Sequence, residues 1–190
     1  MWYSKEYDPI KVGFIDGNGK EPHDRAVKRA ANCDYKPPKH LDTSKYRTLF
    51  VGRLNFDTTE ETLRRYFEKY GEIKKTLLIR NNVTGLSQGY GFITFKSENC
   101  ARDAYDDANR LKIDDHRILV DYERSRLMKG WIPRRLGGGY GGQKESGQLR
   151  FGGRDRPFRE KSEVSSDFKK SDHWKYPSHH YERSSKRRRH

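Results

Sequence analysis

The chain has 190 residues, of which 32% are hydrophobic and 36% charged, with a formal net charge of +14. So few apolar residues leave room for one small folded domain plus chain without a core of its own. They exclude a membrane-spanning helix, because no stretch approaches the ~18 apolar residues that one needs.

The first 45 residues are polar, with Pro at 9, 22, 37 and 38 and Gly at 13, 17 and 19. A short helix is predicted from Asp24 to Ala31, and the rest reads as extended or loop chain. The opening residues lack the continuous apolar core of a signal peptide. Only two cysteines are present, Cys33 and Cys100. They can build neither a disulfide framework nor a four-cysteine zinc site, which fits a reducing compartment, cytosol or nucleus. Cys100, at the start of a predicted helix, is expected to be a small buried residue.

Residues 46–124 change character. Thr48 to Leu54 is rich in strand formers, with Leu49 and Val51 on one side and Phe50 on the other. Thr58 and Glu61 have capping-box spacing, and Leu63, Tyr66, Phe67 and Tyr70 follow at helical intervals until Gly71 stops the helix. A second strand is predicted from Ile73 to Arg80, a turn over Asn81–Gly85, and a third strand from Gly89 to Phe95. Ser97 can cap a second helix with Ala101, Ala104, Tyr105 and Ala108 on one face. Asp114-Asp115 is a turn, and Arg117 to Tyr122 is a fourth strand. The order β-α-β-β-α-β predicts an α+β, ferredoxin-like fold: a four-stranded antiparallel sheet with two helices on one face.

The other sheet face carries the chemistry. Strand alternation puts Tyr90, Phe92 and Thr94 on one side and Gly91, Ile93 and Phe95 on the other. Two helices cover only one face, yet aromatics occupy the uncovered one, where Phe50 points the same way. Rings set side by side on central strands are a platform on which bases stack for roughly 1–3 kcal/mol each. The alternative is that these rings are covered by the chain after Tyr122 or by a protein partner. The octapeptide Gln88 to Phe95 matches the RNP1 signature of the RNA recognition motif, with Gln88 in place of the basic residue and Ile93 in place of Val. Leu49 to Leu54 matches the partner signature, RNP2, about 40 residues upstream.

A helical stretch to about Met128 is predicted next, then a basic, Gly-rich extension over residues 125–160, and a basic tail over 161–190 without amphipathic period, expected to be disordered. Residues 1–45 carry net charge +2, residues 46–122 net +1 and residues 123–190 net +11. A polyanion is the natural partner for that end of the chain, a nucleic acid or, as the rival, a membrane surface. Arg124, Arg126, Lys129, Arg134 and Arg135 are the charges available to an RNA stem, with Trp131 either anchoring this extension or packing on the domain edge. Gly137, Gly139 and Gly142 satisfy G-x-G-x-x-G, but no strand precedes them and no helix follows, so a dinucleotide site is rejected. Asp16, Asn18 and Lys20 fall short of a calcium loop, and His179-His180 is read as solvated. No nucleophile–base pair or carboxylate pair marks an enzyme, and no cofactor, metal or small-molecule substrate is predicted.

Trp131-Ile132-Pro133-Arg134-Arg135-Leu136-Gly137-Gly138-Gly139, following Val120 to Arg124, resembles the segment after the RNA recognition motif in seventy-kilodalton proteins of the U1 small nuclear ribonucleoprotein. Leu49–Leu54 and Asp57–Glu60 are similar to it too. Glu6–Pro9, Glu21–Val27 and Lys144–Phe158 resemble a related family, the 35-kilodalton proteins of the U11/U12 particle. From Arg159 on the sequence departs, without the long Arg-Asp or Arg-Glu runs of that family. The resemblance implies a nuclear component of the minor, U12-type spliceosome that binds a stem-loop of U11 small nuclear RNA, sits among other proteins of that particle and takes part in 5′ splice-site recognition. The RNA-contacting candidates are Phe50, Arg53, Gln88, Tyr90, Phe92, Tyr122, Arg124, Lys129, Trp131, Arg134 and Arg135. The competing readings are a general mRNA-binding regulator and a protein-interaction adaptor. The closing run Lys186 to Arg189 reads as a nuclear import signal, a nucleic-acid patch or simply a charged terminus.

Overall fold

The structure is a computed structural model that describes residues 6–14, 17–36, 44–140 and 152. The resemblance block at 144–158, apart from Gly152, lies outside the described residues, as do Asp16, Gly142, His179-His180 and the Lys186–Arg189 run.

Two short helices come first, α1 (Pro9–Val12) and α2 (Arg25–Ala31). Asp8 and Asp24 cap them, each accepting backbone N–H groups of the first turn that lack an intrahelical partner. Then follow β1 (Thr48–Gly52), α3 (Glu60–Phe67), β2 (Ile73–Arg80), β3 (Ser87–Phe95), α4 (Glu98–Asp107), β4 (Lys112–Ile113), β5 (His116–Arg117), β6 (Leu119–Tyr122) and α5 (Arg124–Leu127). Strands β2-β3-β1-β6 form one antiparallel sheet in that order. The predicted α+β architecture is the one observed.

The core lies between the sheet and α3 and α4. Leu49, Val51, Ile93, Phe95 and Val120 point down from the strands onto Leu63, Phe67, Ala101 and Ala104. All nine are inaccessible to solvent, and burying such side chains is the main favourable term for a domain of this size. The helix layer therefore takes every second residue of β1 and β3, and the intervening ones are left for the opposite face.

Local details differ from the sequence expectations. The cap of α3 is Thr59, whose Oγ1 accepts the Thr62 N–H at 3.1 Å. Thr58 is instead buried and donates its hydroxyl to Asp114 Oδ2 at 2.7 Å, tying β1–α3 to the distant hairpin turn. Glu60 reaches back to accept the Leu78 N–H at 2.7 Å, where a bulge interrupts β2. The predicted fourth strand is split. Asp114 and Asp115 both take left-handed backbone, with φ of 45° and 66°, as a two-residue hairpin turn requires, so Lys112–Ile113 pairs with His116–Arg117 before the sheet strand starts at Leu119. Cys100 is half-buried, its Sγ set where a Cβ on Gly71 would lie.

The two flanks meet. Tyr7, Val12, Ala30, Met128 and Ile132 form a second small core, against which Cys33, Tyr35, Trp131, Leu136 and Tyr140 pack. Tyr7 is its wedge. Its N–H donates to the Lys129 carbonyl at 2.9 Å and its hydroxyl to the Gly139 carbonyl at 3.1 Å. Its ring meets Trp131 edge-on at 4.9 Å and Tyr140 at 5.6 Å. Gly137, at φ 93°, lies so close to α2 that a Cβ there would run into the Ala26 carbonyl oxygen. The glycine run is thus a packing surface as well as a turn. No helix among the described residues is long and apolar enough to cross a membrane.

Candidate nucleic-acid interface

Phe50 and Phe92 are direct partners across β1 and β3, and Gly52 is opposite Tyr90. The ring centroids of Phe50 are 5.8 Å from those of both Tyr90 and Phe92, and Tyr90 and Phe92 are 6.3 Å apart. All three are partly exposed. Phe50 leans over Gly52, whose missing Cβ leaves the space. The platform is therefore assembled as alternation predicts, on the face away from the helices. Leu77 of β2, 40% exposed, extends it beside Phe92.

Among the described residues, the chain after Tyr122 does not close over these rings. It covers the other end of the same face, where Glu123 N–H donates to the Thr48 carbonyl and Arg126 to Thr48 Oγ1 at 2.9 Å. Thr48 and Thr94, linked hydroxyl to hydroxyl at 3.2 Å, are buried there. The result is a groove of about 780 Å³ floored by the platform, with a wall from Trp131 to Tyr140 joined by Tyr35.

Three of the predicted contacts are engaged otherwise than expected. Tyr122 has the parity of Val120, so its side chain goes to the helix layer and stacks on Tyr105 at 4.7 Å; Asp121 takes the position opposite Phe50. Arg124 is only 5% exposed and grips the Asp121 carboxylate in a fork, Nε to Oδ2 at 2.9 Å and Nη2 to Oδ1 at 2.6 Å. Arg126 instead donates both Nε, at 2.9 Å, and Nη2, at 2.6 Å, to the single Glu123 oxygen Oε2. The fork of Arg124 suits guanidinium and carboxylate, and the two pairs commit both arginines to the protein. They hold α5 against the sheet end. Lys129 faces solvent beside Glu6 at 3.7 Å, outside the groove.

Arg53, Gln88, Trp131, Arg134 and Arg135 do line the groove. Its lining has six cationic and two acidic side chains; with Asp121 and Glu123 matched by Arg124 and Arg126, the balance carried by Arg53, Lys75, Arg134 and Arg135 is positive. Trp131 both packs on Tyr7 and Tyr140 and lines the groove, so the two roles coincide. Tyr35, Lys75, Leu77 and Tyr140 are lining residues that sequence reasoning missed. Lys75 and Leu77 were legible, since they alternate onto the platform face of β2. Tyr35 and Tyr140 were not, because only the second core brings them there. Burial pushes the Tyr140 phenol up to about 12, against the opposing pull of Arg124. Among the described residues no group of His, Cys, Asp or Glu could hold a metal ion.

Residues 49–119 match the RNA recognition motif. The U11/U12 small nuclear ribonucleoprotein 35 kDa protein of Danio rerio is 53% identical over 163 residues, covering 86% of this chain and 78% of that protein. Its counterpart in Homo sapiens is 57% identical over 159 residues, covering 84% of this chain and 65% of that protein. The U1 small nuclear ribonucleoprotein 70 kDa protein of Drosophila melanogaster is 50% identical over 109 residues, covering 57% of this chain and 24% of that protein. The chain thus spans somewhat under two thirds of the length of several mammalian relatives. Among solved structures, a Sex-lethal protein–RNA complex aligns over 41% of this chain and 47% of that chain, at 32% identity and a TM-score of 0.40. The similarity runs through the recognition motif into both flanks that build the groove wall, and the chain belongs to the family of U11/U12 small nuclear ribonucleoprotein 35 kDa proteins.

Proposed function

We propose that this chain binds a stem-loop of U11 small nuclear RNA as a nuclear component of the minor, U12-type spliceosome, and through it takes part in 5′ splice-site recognition. The observation that carries the reading is identity above 50% to the 35 kDa proteins across 163 residues, well beyond the recognition motif at 49–119. A general mRNA-binding regulator would need the platform but not the flanks.

RNA loops offer unstacked bases, while the stem below offers phosphates and 2′-hydroxyls. In this reading residues 46–124 hold the loop, with bases stacked on Phe50, Tyr90 and Phe92 and the backbone met by Arg53 and Gln88. Residues 1–45 and 125–160 form the flank on which Trp131, Arg134 and Arg135 face the same RNA. Residues 161–190 add positive charge, which supplies affinity without sequence preference. The partners are U11 RNA and other proteins of the U11/U12 particle.

The test is cross-linking and immunoprecipitation of the full chain from nuclei, followed by sequencing of the bound RNA. Enrichment of U11 is expected. RNA scattered over many mRNAs, or a chain confined to the cytoplasm, would refute the reading.

A further inference from the structure

The groove does not end at the sheet. Beyond β6 it continues to Tyr35 and Arg135, which lie more than 90 residues apart in sequence and belong to the two flanks. The Arg135 guanidinium is over the Tyr35 ring, 5.9 Å from its centroid. The ring is half-buried, backed by the second core, while Arg135 is exposed. A ring held from behind loses little freedom when a base or ribose settles on it. The acids on the way, Asp121 and Glu123, are neutralised by their ion pairs with Arg124 and Arg126, so a phosphate backbone crossing β6 meets no net repulsion. Burial also raises the Tyr35 phenol from its ordinary value, so it presents a neutral ring at physiological pH.

We propose that Tyr35 and Arg135 form a second nucleotide subsite, which takes one further single-stranded nucleotide adjoining those on the Phe50–Tyr90–Phe92 platform: the exposed Arg135 side chain swings off the Tyr35 ring to hold the phosphate, and the base or ribose takes its place on the ring. This rests on the RNA-binding reading above. The occupant is RNA because the groove is continuous with the platform and its lining is net positive.

The experiment compares a four-nucleotide and an eight-nucleotide single-stranded RNA, binding to the full chain by fluorescence anisotropy at several salt concentrations. Tyr35→Ala is expected to weaken the longer RNA at least about fivefold and leave the shorter one unchanged, with Tyr35→Phe restoring the affinity. Arg135→Gln, at an exposed position that folding does not require, is expected to lower the salt slope of the longer RNA by about 0.7 and that of the shorter one not at all. Phe92→Ala is the control and should weaken both. If Phe92→Ala weakens both RNAs while Tyr35→Ala and Arg135→Gln change neither, or change both equally, the subsite is overturned and that end of the groove is left to a protein. If Phe92→Ala changes nothing, the RNA-binding reading itself fails. Should Tyr35→Ala not fold, Arg135→Gln alone decides by the same criterion.

Discussion

Replacing Arg124 by Ala separates a residue that holds the fold from one that holds RNA. Its side chain is 5% exposed and that of Asp121 is 11% exposed, with two charge-assisted hydrogen bonds between them. Truncation leaves the Asp121 carboxylate buried, with the Tyr122 N–H, at 2.8 Å, to satisfy one oxygen. Removing one partner of a buried pair costs about 3–5 kcal/mol. The remaining N–H places Arg124→Ala toward the lower end, about 3 kcal/mol, or a fall in Tm on the order of 10 °C for a folded part of this size. Replacing the pair together, Asp121→Leu with Arg124→Met, should recover most of that loss, since an apolar pair of similar volume needs no desolvation. Thermal melts followed by circular dichroism measure both. RNA titrations on the folded variant at low temperature should return an unchanged salt slope. A melt within 3 °C or so of wild type, together with a slope lowered by roughly 0.7–0.9, would refute the reasoning and make Arg124 a phosphate contact.

Phe92→Ala should cost about 1–3 kcal/mol of RNA affinity and leave the melt almost unchanged, whereas Ile93→Ala, on the buried side of the same strand, should cost roughly 2–5 kcal/mol of stability; urea titrations of both variants check the facing, and the reverse pattern would invert it. Gly137→Ala should destabilise by more than the ~1 kcal/mol of an unfavourable φ alone, because the added methyl also meets the Ala26 carbonyl; loosening of the flank is read as new protease cleavage between residues 124 and 140. The Tyr140 phenol ionises near 12 when folded, against its ordinary value of 10.0. Below pH 10 both states keep the proton and this group adds no pH dependence. As pH rises from 10 towards 12 the unfolded chain ionises first, so its contribution to stability is lost. Alkaline melts should therefore slope downward less steeply in Tyr140→Phe, and identical slopes would contradict the buried phenol.

Much of the recognition motif was written in local pattern. Alternation along Gln88–Phe95 and Leu49–Leu54 assigns each residue to a face without knowledge of its neighbours, because a strand has a period of two and helices cover only one side. The same rule, applied to Val120-Asp121-Tyr122, sends Tyr122 inward with Val120 and leaves Asp121 for the platform face. The charges after the last strand were visible as charges, but not their partners. Whether an arginine meets phosphate or carboxylate depends on what lies within about 3 Å, and the acids Asp121 and Glu123 are close only once α5 folds back on the sheet end. Least legible was the second core. Tyr7, Val12 and Ala30 are too sparse to show a helical or strand period, and they find Met128 and Ile132 across about 100 residues of intervening chain. Sequence by itself determined the sheet, its helices and its aromatic face, since those follow from short-range periodicity. Tertiary structure alone decided that the two flanks fold together and make the wall of the groove, because such contacts depend on the approach of distant backbone, at Gly137 against Ala26 and at Tyr7 against Gly139, which no local pattern records.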